Sequence, residues 1–341
     1  MSSQFDHVCP DRVNLSLHRL MWYPYTKRQT PFAQVKLEPY YDHPEFKTFL
    51  RGLLPRNHNM AYVWREFKQS IFENWMPDKT HLIGASAGYD SRLIMKAIQE
   101  LYREHGKDWL GDTYFVECAG EAEGFTAIAR KLGFQHNMII WIPDFTFEYF
   151  ENLHERFNGL CAYPMNQWYD FYGQWDHEDI QYISGYGGNV ADIINPNSPY
   201  KEADVRRMGC KARLMYYFKH NYFYQISAFR EPKYSFHPFW SWRFIRAVSG
   251  TNHKHKRNSV LMSEMFVPEC QHVKRPEILG EVTQNGHRTV KQSVINNLHE
   301  WYRSTDVGKR YDVKPTRTIE YNKWWLLLCI ANYVKANNIS I

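Results

Sequence analysis

Along this chain, short apolar runs alternate with longer amphipathic stretches. Leu82-Ile83 forms the first run, followed by a small-residue turn, Gly84-Ala85-Ser86-Ala87-Gly88. Leu93, Ile94, Ala97, Ile98 and Leu101 then recur at three- and four-residue spacing with charges between them, which predicts a helix with one buried stripe. Asp112 to Ala119 (DTYFVECA) reads as a second buried strand. Glu121 to Leu132 places Phe125, Ile128, Ala129 and Leu132 at helical spacing, and Gly133 supplies a stop. His136 to Pro143 (HNMIIWIP) is a third apolar run. This alternation predicts an α/β fold built on a parallel sheet. Ligands of such sheets sit at the carboxyl ends of the strands, where the Ser86 turn falls.

The flanks divide the chain into three parts. Residues 1–75 open with irregular sequence rich in Pro, Asn and aromatics, then form an amphipathic stretch from Ala61 to Trp75. They read as an N-terminal extension packed on the core. Residues 76–200 hold the α/β pattern, with a helix expected from Phe145 to Phe157 and a short strand entering a Gly-rich turn over Gln181 to Asn189. Residues 201–341 turn helical, basic and aromatic, with a long helix expected over Lys211 to Phe229 and a core helix over Tyr321 to Val334. Residues 280–320, rich in Asn, Thr, Arg and Lys, carry no clear pattern.

Composition narrows the class. A chain of 341 residues with 44% hydrophobic and 17% aromatic content can bury a substantial core and is not a disordered protein. Its six cysteines stand far apart and never form CxxC, so reduced thiols are expected and neither a zinc site nor a disulfide framework is. The polar N-terminus predicts no secretory leader, and the apolar run from Trp324 to Val334 is too short for a membrane span and carries Asn332. A cytoplasmic protein is expected. The net charge of +6 is uneven: residues 1–200 carry 18 Lys+Arg against 25 Asp+Glu, and residues 201–341 carry 24 against 11. Either the basic half faces a polyanion or acidic substrate, or the two halves neutralise each other in contact.

The chemistry concentrates in the first turn. A strand, a tight turn and a helix N-terminus gather backbone N–H groups into an anion cradle, and Ser86 and Ser91 add hydroxyls. Asp90 would repel phosphates unless a cation lay between them, which makes it a natural Mg²⁺ ligand. No Gly-Lys-Ser/Thr follows, so this is not a Walker A loop. Taken alone, the stretch also fits an ordinary capped βα turn.

Ser86-Ala87-Gly88-Tyr89-Asp90-Ser91 resembles the SGGxDS loop of the PP-loop ATP pyrophosphatases, with Ala87 in place of the first Gly of the pair. Within that superfamily the chain is similar to the synthetase domain of asparagine synthetases and β-lactam synthetases. The resemblance implies a PP-loop, adenine nucleotide alpha hydrolase-like domain with a helical C-terminal part, and ATP and Mg²⁺ as its cofactors. It also implies that Ser86, Ala87, Gly88, Asp90 and Ser91 hold pyrophosphate and that Val116, near the end of the second strand, lines the adenine pocket. Ser184-Gly185-Tyr186-Gly187-Gly188-Asn189 resembles the second nucleotide loop of the family, which assigns Gly185 and Gly187 to the nucleotide and Asn189 to the metal. Tyr186 stands where β-lactam synthetases carry a tyrosine that, with a downstream Glu, acts as a base on the attacking amine. Glu231, upstream of Pro238-Phe239, is the matching carboxylate if three residues are inserted, although a salt bridge with Arg230 or Lys233 explains it somewhat better. In Val267 to Arg275, Lys274, with Arg275 as runner-up, matches the basic residue that reaches the α-phosphate.

The resemblance implies adenylation of a carboxylate by ATP, followed by displacement of AMP by an amine or ammonia. No glutaminase domain is expected, since residue 2 is Ser and little chain precedes the loop. The nitrogen would then come from free ammonia, an amine substrate or a separate ammonia-supplying protein. An alternative keeps the ATP chemistry but places it on a nucleic-acid base or nucleotide, with the basic half as the binding surface. A third reading is a non-catalytic nucleotide-binding module.

Overall fold

In a computed structural model, the structure describes residues 58–117, 121–141, 178–185, 188, 234–251, 258–273 and 292–314. It also describes residues 48, 148, 324, 327–328, 330–332, 334–335 and 338. Helix α1, Met60–Asn74, begins where the Asn59 side chain accepts the Tyr62 N–H at 2.8 Å, satisfying one of the first-turn donors. Its buried residues, Met60, Val63, Trp64, Phe67, Ser70 and Ile71, lie on one face because they recur at three- and four-residue intervals. Strand β1 (Thr80–Gly84) leads through the Ala85–Gly88 turn into α2 (Tyr89–His105). A single helical turn α3 (Lys107–Leu110), strand β2 (Thr113–Glu117), helix α4 (Ala122–Leu132) and strand β3 (Met138–Ile140) follow. Gly133 ends α4 in the left-handed conformation at φ +83°, where a side chain would be strained. Strands β4 (Ile180–Ser184) and β5 (Ser235–Phe236) complete a five-stranded, all-parallel sheet in the order β3-β2-β1-β4-β5.

That order reverses direction between β1 and β4. Strands on one side of β1 run outward as β2 and β3, and those on the other as β4 and β5, so the loops leaving β1 and β4 flank the switch point, where sheets of this kind form a ligand crevice. Gly84 pairs with Val116 on one side and with Ser184 on the other, which aligns the carboxyl ends of the three central strands.

Side-chain alternation gives the sheet two buried faces. On one, Ile83, Phe115 and Ile183 join a large core with α2 (Leu93, Ile94, Ile98), α4 (Phe125, Ile128) and α1 (Phe67, Ile71). The same core takes in α5 (Trp242–Ser249), through Phe244 and Ile245, and α6 (Asn258–Phe266), through Met262. Thus described parts of the N-terminal, central and C-terminal thirds share one core. On the other face Leu82, Val116, Ile180 and Tyr182 form a second cluster, with Ile139 and Trp141 packed against it. Gln181, buried on β4, fastens the end of α1 to the sheet by accepting from Met76 N at 3.1 Å and donating to Asn74 O at 2.6 Å.

Three elements differ from the sequence-based expectation. The third apolar run is a three-residue strand whose Ile140 is 47% exposed, because it lies at the end of the strand order. Strand β5 carries no alternation pattern; only its pairing with Tyr182 and Ile183 makes it a strand. Within 280–320, α7 (Gln292–Ser304) buries Ile295, Leu298 and Tyr302 on a narrow stripe, and Thr305 caps α8 (Asp306–Arg310) by accepting from Gly308 N. A polar majority hid that stripe. The helix expected over Phe145 to Phe157, the one over Lys211 to Phe229 and the basic turn at 252–257 lie outside the described residues.

His81, fully buried on the central strand and stacked on Trp75 with ring centroids 3.8 Å apart, creates a titration liability. Burial disfavours its charged form and lowers its pKa from 6.5 to about 4. The neutral ring is therefore compatible with folding and the imidazolium is not. Stability should be full above pH 6.5 and fall as pH drops toward 4, by on the order of 3 kcal/mol. Urea unfolding across that range should show the loss, and His81→Phe, which keeps the stack and removes the titration, should flatten that part of the profile. Equal slopes in both proteins would assign the acid sensitivity elsewhere.

Candidate functional site

The site is built where β1 ends. Ala85 and Ala87 point into the core and are almost fully buried, so the turn between them must present its backbone and Ser86 away from the core. Ser86 N donates to Ser91 Oγ at 2.8 Å, Gly88 N donates to Ser86 Oγ at 3.1 Å, and the two hydroxyls lie 3.1 Å apart. Ala87 N donates to Glu121 Oε2 at 2.8 Å. The turn is thus held in shape by three side-chain oxygens before any ligand arrives. Helix α2 begins at Gly88 without a side-chain cap, with Asp90 in its first turn.

Two buried carboxylates support this arrangement from β2. Glu117, the last residue of the strand, accepts the Glu121 N–H at 3.0 Å, and Glu121 in turn reaches the Ala87 N–H. Arg92 supports it from α2. Its guanidinium is buried and donates twice to Ala87 O (3.2 and 3.0 Å), to Cys270 O (2.9 Å) and to Val273 O (2.7 Å). Lys96 adds a 2.6 Å ion pair to Glu269 one turn further along α2. Together these fix the segment 268–273 against the turn.

The second Gly-rich turn, after β4, meets the first at Asp90. A Cβ built on Gly185 would meet the Asp90 Cβ and Ile94 Cδ1 at ordinary contact distance, and Gly188 N donates to Gly185 O at 3.4 Å. A Cβ built on Gly188 would overlap the Asp90 carboxylate carbon and both its oxygens. Any side chain at 188 would have to displace the Asp90 carboxylate, so glycine serves there for close approach rather than for an unusual φ. Ser184, at the root of this turn, has its Oγ 2.7 Å from His237 Nδ1, just beyond β5.

Of the residues singled out from sequence, Ser86, Ala87, Gly88, Asp90, Ser91, Val116 and Gly185 all lie at the carboxyl ends of β1, β2 and β4. Val116 is wholly buried, in the second cluster with Leu82 and Tyr182. Tyr186, Gly187, Asn189, Glu231, Lys274 and Arg275 lie outside the described residues. Among the described residues no group of three or more His, Cys, Asp or Glu side chains could hold a metal by itself. Arg92, Glu117, Glu121 and the Ser184–His237 pair were not singled out. No signal in the sequence marks Arg92 or the Ser184–His237 pair, because these contacts join segments far apart along the chain.

Two substitutions probe this geometry. Gly188→Ala should destabilise the protein by about 1–3 kcal/mol through overpacking, and the same change on an Asp90→Gly background should cost much less. Additive effects in a urea-unfolding double-mutant cycle would mean that the two loops do not press together. Arg92→Met removes the guanidinium hydrogen bonds to the Ala87, Cys270 and Val273 carbonyls, and roughly 3 kcal/mol of lost stability is expected. A loss under about 1 kcal/mol would show that the guanidinium does not hold the turn.

None of the protein-family models matches the chain, and none of the curated proteins does either.

Proposed function

We propose that the crevice between the Ser86 turn and the Gly185 turn binds Mg-ATP, and that the protein is a PP-loop-type amide synthetase forming AMP and pyrophosphate. One observation carries this reading: two small-residue loops leave adjacent strands at the reversal of strand order and close on a single carboxylate, Asp90.

The chemistry of the turn fits a pyrophosphate. Neutral bonds such as Gly88 N–H to Ser86 Oγ are weaker than bonds to a phosphate oxygen, so an incoming pyrophosphate can take over that N–H and both serine hydroxyls. The Ala87 N–H, already bonded to the Glu121 carboxylate, stays as scaffold. The uncapped first turn of α2 adds backbone donors and a partial positive charge. Asp90, with Glu117 and Glu121 behind the turn, makes the pocket too negative for a polyphosphate alone. Mg²⁺ resolves that conflict, since it binds through one or two carboxylates plus substrate phosphate oxygens and water and needs no cage of protein ligands. Asp90 would hold it, with Asn189 as the second candidate. The ion would neutralise charge on the phosphates as pyrophosphate leaves.

In this reading a substrate carboxylate attacks the α-phosphorus, and an amine then displaces AMP. Lys274 is assigned to the α-phosphate; the anchoring of Val273 to Arg92 beside the turn supports that assignment. The resemblance gives the base on the amine to Tyr186 with Glu231, which lie outside the described residues.

The test needs no knowledge of the acid or amine. Mg-ATP at a hundredfold its dissociation constant should add about 2.7 kcal/mol of stability, read as a rise in melting temperature. Asp90→Ala should lose that rise while remaining folded by circular dichroism. An unchanged melting temperature for wild type with saturating Mg-ATP would sink the nucleotide reading, and salt-dependent nucleic-acid binding by the basic half would become the reading to pursue.

A further inference from the structure

The pair formed by Ser184 and His237 has no place in the scheme above, yet it stands at the same row of strand ends. Ser184, Gly84 and Val116 are in register across β4, β1 and β2, so they share one face of the sheet. The central member has no side chain, which leaves a gap between Val116 and Ser184, two strand spacings or roughly 10 Å apart. His237 reaches Ser184 from the far side: it follows β5 directly, with an extended backbone (φ −120°, ψ 99°) ahead of Pro238. Proline restricts the residue before it to that region. Phe239, buried between Phe67 and Phe244, pins the next position. The imidazole is therefore preorganised, and its Nδ1 lies 2.7 Å from Ser184 Oγ. Both side chains are only half-buried, unlike the core residues around them.

We propose that Ser184 and His237 form the proton-accepting pair for the nucleophile that attacks the activated acyl group, an inference that rests on the Mg-ATP reading of the crevice. A serine hydroxyl is too weak a base to act alone, and an imidazole bonded to it supplies the acceptor. As the amine nitrogen forms the new C–N bond, its proton passes to Ser184 Oγ and the serine proton passes to His237 Nδ1. AMP leaves with the electron pair of the broken acyl C–O bond, and the imidazolium later returns its proton to solvent. The pair thereby fills the role that the resemblance gave to Tyr186 and Glu231.

The test uses the full chain labelled with [¹⁵N]histidine, with His237→Gln to identify the signal and Mg²⁺ with α,β-methylene-ATP as the uncleavable probe. In the neutral ring Nδ1 should carry no proton, because it accepts from Ser184. Ser184→Ala should shift that resonance and Ser184→Thr should restore it. Adding the probe should move the wild-type His237 signal. A protonated Nδ1 in the neutral ring would overturn the proposal, since such a ring donates to Ser184 and cannot take its proton. An unmoved signal, with the probe shown bound by its rise in melting temperature, would place the pair outside the site and leave the nucleotide reading standing. No rise in melting temperature with the probe would remove the nucleotide reading, and the role of the pair with it.

Discussion

The geometry of the crevice depends on a buried guanidinium. Arg92 sits in the first turn of α2, at the positive end of the helix dipole, where a cation is unfavourable and removal from water costs more still. It is tolerated there because its charge is met by hydrogen bonds to the carbonyls of Ala87, Cys270 and Val273. Those carbonyls belong to residues 178 and 181 positions away in the chain as well as to the turn itself. A single side chain thus gives the turn its shape, closes the C-terminal segment over it and adds positive charge behind a candidate phosphate site. Few substitutions could serve all three ends: lysine has the charge but not the planar fork that reaches several acceptors at once.

The same turn carries opposing charge. Glu121 caps the Ala87 N–H, Glu117 holds Glu121, and Asp90 is pressed against Gly188. A capped βα turn of purely structural purpose needs one oxygen at its helix start, and a serine supplies it at little cost. Three carboxylates around one turn are more than capping requires, and they raise the local demand for a cation. That surplus, more than the match of Ser86 to Ser91 with a known loop, supports the proposed divalent-ion and phosphate site over an ordinary turn.

What the sequence made legible was local. The stripe of Leu93, Ile94, Ala97, Ile98 and Leu101 is visible because a helix repeats its face every three or four residues, and α2 buries those positions. Gly133 is visible as a stop because only glycine enters the left-handed region freely. The Ser86 turn is visible because small residues, hydroxyls and a carboxylate crowd six positions. Contacts between distant segments leave no such trace. Ser184 and His237 are 53 positions apart, and β5 is a strand only because β4 offers it hydrogen bonds. The burial of Arg92 is likewise invisible, because two of the carbonyls that hold it belong to residues far along the chain. The sequence thus made the first wall of the crevice and the strands behind it readable. The second wall and the brace came only from the fold.

The glycine at 188 joins these observations. Had the second loop only to turn, many residues would serve; it must instead lie directly on a carboxylate, with no atom between. An ionised carboxylate covered by a backbone loses water on that side, which raises the cost of its charge unless another partner compensates on the open side. The open side faces the turn whose neutral hydrogen bonds are the most easily exchanged, those of Ser86 and Ser91. A cation bound there would restore what Asp90 loses to Gly188, and the anion that accompanies it would take over the serine bonds. In the proposed reading, Mg²⁺ with a polyphosphate would engage both loops at once, the cation at Asp90 and the anion at the serine bonds.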